Sequence, residues 1–82
     1  MYYVYILQSQ NYQRYYIGYS DHLDKRIVAH NLGKVRSTKA YMPWRLIYKE
    51  RFEDKTMARK MELQIKSYKG GQAFKKLINE RG

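Results

Sequence analysis

Eighty-two residues, 44% of them apolar or aromatic, can close one hydrophobic core but not two, so a single domain over residues 1–82 is expected. Seventeen Lys and Arg against seven Asp and Glu leave a formal charge of +10, a field that attracts polyanions and makes nucleic acid the first partner to consider. The lack of Cys excludes disulfides, thiolate zinc sites and a Cys nucleophile, while the absence of an apolar run near the ~18 residues that span a bilayer, and of a charged n-region in Met1-Tyr2-Tyr3-Val4, leads us to expect a soluble, cytoplasmic protein with no membrane partner.

Tyr2–Leu7 and Arg14–Tyr19 are rich in Tyr, Val and Ile and flank the polar stretch Gln8 to Gln13, which predicts a β-hairpin. Folding it symmetrically about Gln10-Asn11 sets Tyr5 opposite Tyr16. Strand parity then gathers Tyr3, Tyr5, Tyr16 and Gly18 on one face and sends Val4, Ile6 and Ile17 to the other, the natural core face. Ser20 or Asp21 is placed to cap a helix running to about Leu32, with Leu23 and Ile27 as its apolar stripe and Gly33 as its stop. Arg26 and His30, four residues apart on the margin of that stripe, are both expected to reach a cleft floored by the hairpin.

Lys34 to Pro43 carries Lys34, Arg36, Ser37, Thr38 and Lys39 without an acid and reads as an exposed basic loop. Trp44–Phe52 supplies a third strand in which Trp44, Leu46 and Tyr48 alternate with Arg45, Ile47 and Lys49. Asp54 caps a helix to about Lys69 whose inner stripe is Met57, Ala58, Met61, Ile65 and Tyr68. Gly70-Gly71 end it before a short helix with Phe74, Leu77 and Ile78. The order is β-β-α-β-α-α, an α+β chain.

Four features bear on chemistry, and each has a plain alternative. Tyr5 and Tyr16 suit a cross-strand packing pair, or phenols whose phenolate form is stabilised by nearby cations and so serves as a base, with Gly18 leaving room on their face for a phosphate to approach. Arg26 and His30 suit a solvated helix margin, or a phosphate fork beside a proton carrier. Glu62, the only acid between Asp54 and Glu80, suits an ion pair with Lys66, or one carboxylate holding a divalent cation together with substrate phosphate. Lys34, Arg36, Lys39, Arg45 and Lys66 form the clearest footprint for nucleic-acid phosphates, although solubility accounts for part of such charge.

Taken together, Tyr3-Val4-Tyr5-Ile6-Leu7, ten residues between Tyr5 and Tyr16, Tyr16-Ile17-Gly18-Tyr19-Ser20, Leu23 to Ile27, His30-Asn31 and Gly33-Lys34 resemble the GIY-YIG nuclease domain, and in particular its minimal group of small bacterial proteins. Tyr3 and Val4 stand where the first tripeptide has Gly and Ile, and Tyr19 stands where some relatives carry a lysine. The resemblance implies a small three-stranded antiparallel sheet with flanking helices and a metal-dependent endonuclease that hydrolyses DNA phosphodiester bonds. It further implies one Mg²⁺ or Mn²⁺ held by Glu62, Tyr5 as general base, His30 relieving it of a proton, Tyr16 orienting water or phosphate, and Arg26 steadying the transition-state charge. With no appended domain, low sequence specificity, a preference for structured DNA, or targeting by a partner protein is expected. Charge alone does not separate DNA from RNA. The alternatives are a non-catalytic nucleic-acid-binding module that keeps the fold and an interaction domain for acidic partners.

Overall fold

A computed structural model describes residues 1–81 of the chain. Strands β1 (Tyr2–Ser9) and β2 (Tyr15–Ser20) form the hairpin, and β3 (Trp44–Phe52) pairs with the other edge of β1, giving an antiparallel sheet in the order β2-β1-β3. Helix α1 (Leu23–Asn31) follows β2, a 3₁₀ turn at Lys39–Tyr41 precedes β3, and α2 (Lys55–Ser67) and α3 (Gln72–Arg81) complete the chain. This is the expected α+β order. None of the described helices is long and apolar enough to cross a membrane.

The hairpin register differs from the symmetric one. Tyr5 pairs with Gly18 and Leu7 with Tyr16, so the Tyr5–Tyr16 pairing is displaced by two residues and the tyrosines lie diagonally. The loop sets this offset: Ser9 remains in β1, its amide donates to the Arg14 carbonyl at 3.0 Å, and its hydroxyl both accepts from the Tyr12 amide and donates to the Tyr41 carbonyl at 2.6 Å. A shift of two keeps strand parity, so Tyr3, Tyr5, Tyr16 and Gly18 still share a face.

Both faces of the sheet are core. Val4 and Ile6 pack with Tyr48, Ala58, Ile65 and Phe74 beneath α2 and α3. Tyr5 and Leu7 pack with Leu23 and Trp44 beneath α1. Each fully buried aliphatic chain in these layers, such as Ile6 or Ile65, contributes about 1.5–3 kcal/mol over leaving it in water. The expected alternation of β3 is broken by a bulge: Leu7 pairs with Leu46 but Ile6 with Tyr48, leaving Ile47 as the extra residue. Trp44 and Leu46 therefore join the α1 layer, whereas Tyr48 joins the α2 layer.

Helix ends follow the expectation in two cases of three. Gly33, at φ +74°, stops α1 as its amide reaches the His30 carbonyl and the Lys34 amide reaches that of Ala29. Asp54 accepts the Met57 amide at 2.8 Å and caps α2. At α1, however, neither Ser20 nor Asp21 caps. His22 holds the cap position without a side-chain bond, and the Ser20 hydroxyl accepts the His22 amide instead. Met57 is half exposed, not buried as its spacing predicted, and the inward face of α2 is Ala58, Glu62 and Ile65.

Candidate active site

Tyr5 occupies the central strand, where packing from both neighbours leaves it 1% exposed. The register brings Gly18 directly across from it, and the Tyr16 ring centroid stands 6.2 Å away. A side chain at position 18 has no room: a Cβ there would lie 2.8 Å from the Tyr5 hydroxyl and 2.9 Å from the Tyr16 ring. The space expected above Gly18 for a phosphate is thus filled by the two phenols it allows to converge.

From α1, the exposed Arg26 side chain enters the same cleft, where its interaction with the Tyr5 phenol, and more weakly with Tyr16, raises its own pKa further. His30, one turn later, does not sit on a solvated margin; it is 0% exposed beneath the hairpin. Its Nε2 lies 3.1 Å from the Tyr5 hydroxyl and its Nδ1 lies 2.8 Å from the Thr38 hydroxyl. The imidazole centroid is 4.7 Å from that of Tyr16.

Glu62 reaches the same region from α2. Although that helix covers the opposite face of the sheet, a cleft of about 460 Å³ wraps the β2 edge and is lined by Tyr5, Tyr16, Gly18, Arg26 and Glu62 together with Tyr2, Tyr19, Ser20, Asp21 and Lys55. Four of the five sequence candidates therefore share one cleft, and His30 backs it through Tyr5. The Glu62 carboxylate is 5% exposed, with one oxygen 2.6 Å from Arg59 Nη1 and the other 3.2 Å from Lys66 Nζ. The Glu62–Lys66 pair is the plain alternative weighed for this acid, so Lys66 is here committed to the carboxylate.

Among the basic candidates, Lys34, Arg36 and Lys39 are exposed on the loop after α1, as expected. Arg45 lies at the hairpin end of the sheet, where it donates to the Gln8 amide oxygen at 3.3 Å, away from the cleft lining. The loop is not wholly exposed: Thr38 is 1% exposed, and its carbonyl accepts the Trp44 indole N–H at 2.9 Å. Sequence reasoning missed Lys55 as a cleft cation and Thr38 as the partner of His30. Lys55 follows the Asp54 cap at the first position of α2, which was a readable signal.

The electrostatics also revise one expectation. Burial pushes the Tyr5 pKa up to about 12, with the nearby Arg26 opposing the rise and Tyr16 and Glu62 adding to it, so the phenol is neutral rather than poised as phenolate. Burial, assisted by the Arg26 charge, lowers His30 to about 4, leaving a neutral imidazole near pH 7.

The donor set bears on metal binding as well. Among the described residues no three His, Cys, Asp or Glu side chains converge to hold a metal ion. One carboxylate on an open cleft fits a hard divalent cation that keeps its waters and takes further oxygens from a phosphate, rather than a protein-enclosed site. Glu62 is the residue that would hold it, in exchange for its contacts with Arg59 and Lys66.

A family model described as the GIY-YIG catalytic domain matches residues 1–76, a span that contains Tyr5, Tyr16, Arg26, His30 and Glu62. The chain belongs to the GIY-YIG family. Small UPF0213 proteins are among the relatives of this GIY-YIG chain. One from Staphylococcus haemolyticus is 38% identical over 80 residues, covering 96% of this chain and 95% of that protein. One from Natronomonas pharaonis is 30% identical over 81 residues, covering 98% of this chain and 94% of that protein. The solution NMR structure of a UPF0213 protein from Bacillus halodurans is 32% identical, with 89% of each chain covered and a TM-score of 0.49.

Proposed function

We propose that this member of a nuclease superfamily is a metal-dependent endonuclease that hydrolyses DNA phosphodiester bonds with little intrinsic sequence specificity, or at unusual DNA structures. The observation that carries the reading is the convergence of Tyr5, Tyr16, Arg26 and Glu62 on one cleft from four different elements. Simple core packing accounts for Tyr5 alone. It does not account for a guanidinium and an inward-facing carboxylate lining the same cleft as two phenols.

In this reading Glu62 would hold a divalent cation, which would supply Lewis-acid polarisation of the phosphate. Arg26, exposed at the cleft, would meet a phosphate oxygen and stabilise charge as it builds in the transition state. Lys55 adds a further cation at the cleft. Tyr16 orients the attacking water, and Tyr5 removes its proton.

The high Tyr5 pKa shapes that last step. A free phenolate is costly here, so Tyr5 works as a relay, passing its hydroxyl proton to His30 Nε2 as it accepts one from water. A bound phosphate brings negative charge to the site, which favours the imidazolium that results.

Supercoiled-plasmid nicking with Mg²⁺ or Mn²⁺ tests the reading. The parent protein should nick, EDTA should stop it, and Glu62→Ala and Tyr5→Phe should each lower the rate by at least about a hundredfold. Glu62→Ala should bind DNA as well as the parent or more tightly, because a negative charge has left the cleft. Equal nicking by parent and both variants, or nicking that survives chelation, rules the assignment out.

A further inference from the structure

We propose that Thr38, on the loop between α1 and β3, is the positioning residue that fixes the tautomer of His30, so that Nε2 is the bare nitrogen facing the Tyr5 hydroxyl. This rests on the nuclease reading for its consequence but not for its geometry. A buried chain of polar groups runs from the Tyr5 phenol to His30, then to the Thr38 hydroxyl and the Val35 carbonyl. Its carbonyl end sets its direction. A carbonyl only accepts, so the 3.3 Å contact to Val35 is filled by the Thr38 proton.

Thr38 has one hydroxyl proton. With that proton on Val35, its oxygen accepts from His30, which places the imidazole proton on Nδ1 and leaves the Nε2 lone pair for the Tyr5 O–H. In the opposite direction Thr38 would donate to Nδ1 and Nε2–H to Tyr5. The Tyr5 oxygen would then receive His30 while its own proton lost the buried acceptor that His30 provides. Only the first arrangement gives every proton in the chain a protein acceptor; in the second the Tyr5 proton would have only the solvent of the cleft, and Tyr5 is 1% exposed.

The loop is built to hold this hydroxyl. The Thr38 amide donates to the same Val35 carbonyl at 3.1 Å, its carbonyl accepts the Tyr41 amide and the Trp44 indole, and Trp44 is itself tied to Asn31 of α1 through its backbone amide and carbonyl. In the relay, the proton leaves Tyr5 Oη for Nε2 as the water proton arrives at Oη. The resulting imidazolium keeps its Nδ1–H on Thr38. A ring in the other tautomer would present a proton to Tyr5 and stop the transfer.

Long-range ¹H–¹⁵N spectra of protein labelled at histidine read the tautomer directly at pH 7. The parent should show Nδ1 protonated and Nε2 bare, Thr38→Ser should match it, and Thr38→Val, isosteric but without the acceptor, should populate the Nε2–H form. In plasmid nicking, Thr38→Val should lose at least about tenfold in kcat with KM nearly unchanged, and Thr38→Ser should retain activity. An Nε2–H parent overturns the proposal whether or not Thr38→Val folds. So does a Thr38→Val protein whose tautomer is unchanged, or one whose tautomer shifts while kcat does not. A parent that nicks no DNA defeats the nuclease reading instead, and the nitrogen spectrum still decides what Thr38 does.

Discussion

At the scale of single residues, His30 shows how the site depends on burial. Its pKa lies at about 4 in the folded chain against an ordinary 6.5, so between those values the unfolded state binds more protons. Stability contributed by the neutral imidazole is therefore whole above pH 6.5 and is lost as pH falls toward 4, with a full effect on the order of 3 kcal/mol. Urea melts across this window should show the parent midpoint falling with acidity and His30→Gln falling less; equal slopes would contradict the assignment. The residue pattern announced the tyrosines, Arg26, His30 and Glu62 by type and spacing. It did not announce that His30 is enclosed, because a helix margin becomes interior only when a second element, here the Thr38 loop, closes over it.

At the scale of elements, the strands and helices follow local chemistry closely. β3 occupies the predicted Trp44–Phe52, and the Asp54 cap and Gly33 stop lie where their side chains and backbone freedom require. Asp54→Ala should cost about 1 kcal/mol in a denaturant melt and Asp54→Asn much less, since the amide oxygen still accepts the Met57 amide. A loss equal for both would show that the cap contributes little. What local pattern did not carry was pairing. The hairpin offset depends on Ser9 being bonded to the distant Tyr41, and the Ile47 bulge depends on two cores needing Leu46 and Tyr48 on opposite faces. Both are tertiary demands. Glu62 was legible as an oddity of charge, yet its inward aim appears only when Ala58 and Ile65 are seen to flank it on the buried side of α2.

At the scale of the whole molecule, the proposed reading assigns affinity for a polyanion to the +10 on 82 residues and the chemistry to the cleft. The exposed loop cations Lys34, Arg36 and Lys39 are separate from the cleft lining, so binding and turnover should come apart under mutation. Replacing all three by Gln should reduce the slope of log binding constant against log salt by up to about three units, about 0.9 for each phosphate that is no longer neutralised. An unchanged slope would mean that other cations meet the phosphates.

The central claim is that one carboxylate beneath the β2 edge holds the reaction's cation against the scissile phosphate. Its most direct test is the anomalous signal of Mn²⁺ in crystals of the Tyr5→Phe protein with uncleaved DNA. The account predicts one strong peak at the Glu62 carboxylate. A peak that ignores Glu62, with Arg59 and Lys66 still closed on its carboxylate, would contradict it.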